Sequence, residues 1–428
     1  MALTTPTTYR NQVIYSIFTR QYSQEGTFQA VLKDLPRIKA LGVDILWLMP
    51  IHPIGMENRK GTLGSPYANQ DYRSINPELG TRDDFIELVD AIHQQGMKVI
   101  IDVVYNHTSP DSVLAKDHPD WFLHKADGSF GNKIGDWSDV IDLDYSHPEL
   151  WDYQIETLKQ WARYVDGFRC DVAPLVPLAF WLKARQEVSQ VRPDCFWLAE
   201  SVEPEMIRSC RKAGIPCLSD SELYQVFDAT YEYDIYLDFL GYLTGKSSLA
   251  GYAEKINAQE AIYPANYVKL RCLENHDRRR IADLVKDEKT RRNWTAFLYF
   301  QQGITLLYNG QEKEVTHQPS LFDKDPILWD TGHDQTELLT RLAQLKKDPL
   351  FAQSSYEVKV VAEKGLVARR FGLGKELVGL FQVKRDSSPL LTELPDGTYH
   401  DLVSDQDFRI EKGQALTRGE PVIFWLKK

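Results

Sequence analysis

Short apolar runs that recur along the whole chain, with amphipathic stretches between them, constrain this fold more than any other feature. The runs predict strands at Val13–Phe18, Ile45–Met49, Val99–Val103, Gly167–Cys170, Phe196–Ala199, Pro216–Leu218, Val268–Leu273 and Ile304–Tyr308. Apart from Val268–Leu273, with its Lys269 and Arg271, none alternates apolar with polar residues, as expected of strands covered on both faces. Between them, Phe28, Val31, Leu32, Leu35 and Ile38 keep helical spacing, as do Phe85, Leu88, Val89 and Ile92. A third stripe runs through Trp151, Ile155, Leu158, Ala162 and Val165, and Asp287–Phe300 and Leu338–Lys346 supply the last helices. Thr81, with Asp84 three residues on, reads as a capped helix start. Eight strands alternating with helices predict an α/β fold, a (β/α)8 TIM barrel, with a doubly wound open sheet as the rival.

The barrel is divided into residues 1–104 and 147–349. Residues 105–146, rich in Asp, Gly, His and Trp, exceed a simple crossover and are read as a short excursion over the barrel mouth. After about Lys347 short strands carry hairpin signals, such as Leu394-Pro395-Asp396-Gly397 before Thr398–Leu402. Residues 350–428 are therefore read as a small C-terminal antiparallel β-sandwich domain. Its aromatics Tyr356, Phe371, Phe381, Tyr399 and Trp425 fall at strand-like positions and are read as core.

Fifty basic and 61 acidic residues leave a net charge of −11, which disfavours nucleic acid as the partner. No apolar run reaches the roughly 20 residues that span a bilayer. The polar stretch Met1–Arg10 has no hydrophobic signal core. Cys170, Cys195, Cys210, Cys217 and Cys272 have neither an even count nor metal-like spacing. They read as reduced thiols, in keeping with a cytoplasmic location. Oligomeric state is not readable from the sequence.

In a parallel barrel, chemistry stands at the C-terminal ends of strands. Here those ends read Asp102-Val-Val-Tyr-Asn-His107, Gly167-Phe-Arg-Cys-Asp171, Trp197-Leu-Ala-Glu200 and Leu273-Glu-Asn-His-Asp277. One acidic strand end is most simply a helix cap; four at one mouth are not. Arg169 and Asp171, two apart, share a face, so a guanidinium beside the carboxylate favours its ionised form. Glu200 should meet Asp171 and Asp277 in a desolvated mouth, where burial and like charge keep it protonated. An ionised carboxylate paired with a protonated carboxyl suits glycoside hydrolysis, with retention requiring a separation of about 5–5.5 Å.

These four segments, in this order, resemble the signature regions of the α-amylase family of glycoside hydrolases. Ser65-Pro-Tyr67 through Asp71-Tyr72 to Gly80-Thr81, and Gly303–Glu312, extend the similarity over residues 11 to about 330. The resemblance implies that Asp171 is the nucleophile, Glu200 the acid/base and Asp277 a third carboxylate binding the reacting sugar. It further implies that His107 and His276 hydrogen-bond that sugar and that Arg169 orients the nucleophile. Tyr67 would lie under the ring, and Asp102 would be a structural carboxylate. The implied substrate is an α-glucan oligosaccharide, with no cofactor.

Two departures narrow the expectation. Many endo-acting members carry Lys and His three and four residues after the nucleophile, the Lys contacting sugar and the His lending a backbone ligand to a structural calcium. Pro174 and Leu175 stand there instead. Asn106 alone is not a calcium site, so no metal is expected, and short substrates are. Asp142-Leu143-Asp144 and Val172 leave the linkage open. A 4-α-glucanotransferase, or a phosphorylase or isomerase acting on disaccharides, would share the same intermediate. A non-catalytic sugar-binding or transporter-associated homologue would have lost the carboxylates, all of which are present.

Overall fold

The computed structural model describes residues 4–426 except 136 and 387; the ends of the expected 1–104 and 350–428 segments thus lie partly outside the described residues. Eight parallel strands close into a barrel in sequence order: Val13–Ile17, Ile45–Leu48, Lys98–Val103, Gly167–Cys170, Phe196–Ala199, Ala229–Tyr231, Lys269–Arg271 and Ile304–Tyr308. Closure is by the first strand on the eighth, with Val13 beside Thr305. The strands are buried almost throughout, so even the polar face of the seventh, Lys269 and Arg271, is buried, and it is ion-paired with Asp220 and Glu232. Gly167 opens the fourth strand because a Cβ there would lie 2.2 Å from the Phe196 carbonyl oxygen. The helical stripes form Phe28–Ala40, Arg82–Gln94, Pro148–Trp161, Glu288–Phe300 and Thr336–Lys346. Thr81 and Asp84 make the expected reciprocal capping box.

The sixth strand is a correction. Pro216–Leu218 is not a strand; Ala229–Tyr231 takes the place between the fifth and seventh. The true strand has only three residues, flanked by the buried acids Asp228 and Glu232, so no apolar run advertises it. Asp228 accepts from the Trp197 N–H at 2.9 Å, and Glu232 from the Cys272 N–H at 2.7 Å, stitching neighbouring strands. The apolarity of the earlier segment serves a loop cluster in which Cys217 packs with Leu175, Val202 and Cys210.

Between the third and fourth strands, His107–Thr108 pairs antiparallel with Ile141–Asp142, and Val113–Asp117 and Pro119–Trp121 form short helices above the mouth. At the C-terminal end, Ser355–Val361, Gly365–Gly372, Lys375–Gln382 and Val422–Trp425 form one sheet. Leu390–Leu391, Gln414–Ala415, Gln406–Glu411 and Gly397–Asp401 form a second. The first sheet is buried on both faces. Leu366, Leu377 and Phe381 join the barrel's core, while Val367, Val378 and Phe424 meet Leu390, Tyr399 and Ile410 of the second sheet. The 394–397 segment does not join paired strands, because Leu390–Leu391 pairs with Gln414–Ala415 and Gly397–Asp401 with Gln406–Glu411. Asp396 instead accepts the backbone N–H groups of Lys412 and Gly413 at 2.8 and 2.9 Å, so its turn-forming character is spent on a distant loop. No helix among the described residues is long and apolar enough to cross a membrane.

Candidate active site

The barrel brings the acidic strand ends onto one guanidinium. Arg169, on the fourth strand and fully buried, donates through Nη1 to Asp102 Oδ1 and to Asp171 Oδ1, both at 2.8 Å. Its Nη2 lies 2.8 Å from Glu200 Oε1, and Nε donates to the Tyr231 hydroxyl at 3.2 Å. The rings of Trp47, Tyr67 and Tyr231 surround the same group at 5.1–5.6 Å. A buried cation is tolerated when its charge is countered this closely, here by three carboxyls, although Nη2 faces Glu200 as an ion pair without a hydrogen bond of its own.

The shared cation divides the acids. Burial raises the Asp171 carboxyl to about 6, with Arg169 opposing the rise. Burial also raises Glu200, to about 7, with Arg169 opposing and Asp171 and Asp277 adding to it. The guanidinium beside Asp171 therefore limits a rise rather than depressing its pKa below the usual carboxylate range. For Asp277, burial works upward but His276, with Arg169 and Arg278, holds it down at about 2. Near neutrality the site thus offers an ionised Asp171, an ionised Asp277 and a Glu200 that exchanges its proton.

Asp171, Glu200, Asp277, Tyr67 and His107 line one cavity of about 440 Å³. Asp102, Arg169 and His276 stand behind it. Asp102 accepts from Trp47 Nε1 at 3.3 Å and from the Tyr67 hydroxyl at 3.1 Å. Tyr67 also stacks on His276, with its hydroxyl 2.7 Å from Nε2. His107 Nε2 lies 3.9 Å from Asp171 Oδ2. Val172 takes a left-handed backbone, φ 33°, ψ 45°, which a β-branched residue rarely adopts. That turn aims its N–H at Glu200 Oε2, 2.8 Å away, so strain is spent on holding the acid.

Residues 10–138 and 120–356 match the α-amylase catalytic-domain model, and residues 357–424 the bacterial α-amylase C-terminal domain. The chain belongs to the α-amylase family. An α-amylase crystal structure from Lactobacillus plantarum is 50% identical, with a TM-score of 0.95 over 98% of this chain and 99% of that one. A maltogenic α-amylase from Thermotoga neapolitana is 33% identical, with a TM-score of 0.86 over 97% and 98%. The intracellular maltogenic amylase of Bacillus subtilis is 27% identical, covering 75% of this chain and 55% of its own. A maltosyltransferase acting between α-1,4-glucan and maltose-1-phosphate, from Rhodospirillum rubrum, is 32% identical over 58% of this chain. The chain spans only 36% of that relative's length.

Against the α-amylase pattern, the structure adds residues that no sequence signal exposed. Trp47 and Tyr231 face Arg169 from the second and sixth strands; Trp47 reads only as apolar strand, and Tyr231 lies in the strand that the sequence did not reveal. Lys60 reaches from the loop after the second strand to Asp139 of the excursion at 2.7 Å, and both line the cavity. Arg278 pairs with Glu203 and lies over the Tyr233 ring. Pro174 and Leu175 sit in a short 3-10 turn, Ala173–Leu175, directly after the strained Val172. Lys133 of the excursion donates to Asn106 Oδ1 at 2.8 Å and to the Leu175 carbonyl at 3.2 Å.

Proposed function

We propose that this α-amylase-family chain is a retaining hydrolase of short α-glucan oligosaccharides. The observation that carries the reading is one guanidinium countering two cavity-lining carboxyls, Asp171 and Glu200, with the third carboxylate, Asp277, in the same cavity. Glu200 protonates the glycosidic oxygen as Asp171 attacks the anomeric carbon, and the C–O bond to the leaving sugar breaks. Glu200, now a carboxylate, takes a proton from water, whose oxygen displaces Asp171 and restores the α-configuration. Asp277 and His107 hold the hydroxyls of the reacting ring, and Tyr67 lies beneath it. His276 backs Asp277 and Tyr67 from behind the cavity, and Arg169 with Asp102 fixes the nucleophile. No cofactor is assigned. Five buried free thiols and the intracellular Bacillus subtilis relative support a cytoplasmic place.

Mass analysis of the products formed from maltotriose tests this reading, together with proton NMR of the first-formed anomer. Glucose and maltose, released first as the α-anomer, are expected; an initial β-anomer would rule out double displacement. Similarity to maltosyltransferases favours one second reading, transfer of the same intermediate to a sugar acceptor. Products longer than maltotriose would identify it.

The two carboxyls also set a pH profile. Activity needs Asp171 ionised and Glu200 protonated, so kcat/KM should fall below about 6 as Asp171 takes a proton, and above about 7 as Glu200 loses one. The limbs belong to the coupled pair. A flat profile between pH 5 and 8 would contradict the assignment.

A further inference from the structure

We propose that Lys133 is a positioning residue for His107, an internal ammonium that fixes the histidine through Asn106 and pins the excursion to the barrel without a metal ion. The sugar-binding part of this inference rests on the function proposed above; the orientation of the ring and the metal independence do not.

Lys133 belongs to the excursion loop, and its own backbone N–H donates to Asp142 Oδ2 at 2.8 Å, while Asp142 is paired in register with His107. Its side chain turns inward. Nζ donates to Asn106 Oδ1 at 2.8 Å and to the Leu175 carbonyl at 3.2 Å, joining the excursion, the end of the third strand and the turn after the fourth. An ammonium has no lone pair, so the atom of Asn106 that faces it is the amide oxygen. The same amide then presents its N–H2 to His107 Nδ1, 3.1 Å away. Nδ1 accepts that hydrogen bond, which leaves the ring proton on Nε2, the nitrogen aimed into the cavity 3.9 Å from Asp171. Burial favours the neutral ring in which this distinction matters. A cation thus sets the tautomer of a histidine that it does not touch.

The same contacts decide the metal question. Asn106 and the carbonyl at position 175 are oxygens that the family resemblance would assign to calcium, and here both are turned on the ammonium. Calcium wants six to eight oxygen ligands at about 2.3–2.6 Å. An ion placed at these two would sit against a positive charge. Among the described residues no cluster of three or more His, Cys, Asp or Glu side chains is set to hold a metal. The residues do not fit calcium; Lys133 does the joining.

The test uses the full chain with ring-labelled histidine. NMR should show His107 as the Nε2–H tautomer in the parent protein. Lys133→Met, similar in length but uncharged, should give a mixture of tautomers and lower kcat and kcat/KM together by about 10²-fold. Should that variant fail to fold, Asn106→Asp keeps an acceptor for Lys133 but removes the donor to His107, and should switch the ring to Nδ1–H. EDTA and added calcium chloride should leave the activity and melting temperature of the parent unchanged. The proposal is overturned by a parent His107 protonated on Nδ1, by an unaltered tautomer in both variants, or by EDTA inactivation that calcium reverses. The tautomer and the EDTA melting shift need no turnover, so they separate this failure from failure of the hydrolase reading.

Discussion

Replacing Asp171 with Asn is expected to lower kcat on maltotriose by at least about 10⁴-fold, with the fold intact. The side chain stays nearly isosteric and can still accept from Arg169 Nη1, so the buried network survives while the nucleophile is lost. Glu200→Gln should be as severe for substrates with poor leaving groups, because the amide has no proton to give. It should be milder for an activated aryl glycoside, whose departing oxygen needs little help. The two variants therefore separate the two roles. Near-normal maltotriose hydrolysis by Asp171→Asn, with far-UV circular dichroism unchanged, would sink the assignment of nucleophile.

The second large effect is on stability. Arg169 is the common counter-charge of Asp102, Asp171 and Glu200, none of which is more than 6% exposed. Arg169→Met removes the cation and leaves the acids in place, a change that costs about 3–5 kcal/mol when one partner of a buried pair is lost. The sign of its pH dependence follows from the direction of the shifts. Asp171 and Glu200 already titrate above their ordinary values, so their cost to stability builds as pH rises from the ordinary carboxylate range and levels off above about 6 to 7. Without Arg169 their folded pKa values climb further, and the deficit widens with pH. Denaturant unfolding should show a smaller loss at pH 5 than at pH 8. Equal stability of variant and parent at both pH values would mean that the guanidinium does not balance the acids. Arg169→Lys should recover only part of the loss, because a point charge lacks the fork that reaches Asp171 and Glu200 from separate nitrogens.

Much of this site could be read along the chain because barrel geometry converts position into place. Asp102, Arg169, Asp171, Glu200, His276 and Asp277 lie on or just past strand ends, and a strand end in a parallel barrel is a known location. Tyr67 was reachable only through the resemblance, since it sits in the long loop between Leu48 and Arg82. Ala229–Tyr231 escaped because a three-residue strand between two acids has no pattern of its own, and Pro216–Leu218 drew attention for an apolarity that belongs to a loop core. Lys133 escaped for a different reason. A lone lysine in a polar segment reads as surface, and only the folded excursion turns it inward on Asn106. Local pattern reports which face is buried; it does not report which distant atom fills the space.

The closing contact of the barrel has a consequence for how the site comes into being. Val13 meets Thr305, 292 residues later (305 − 13). A chain leaving the ribosome has Asp102, Arg169, Asp171 and Glu200 in hand 104 residues before the eighth strand begins (304 − 200). Were the barrel open at that seam, water would reach these groups along the axis and their acidities would be those of ordinary solvated ions. The burial that raises Asp171 and Glu200 therefore requires the contact of Ile304–Tyr308 with the first strand. The strand that completes the barrel brings no carboxylate to the site, yet the working acidities of that site depend on it.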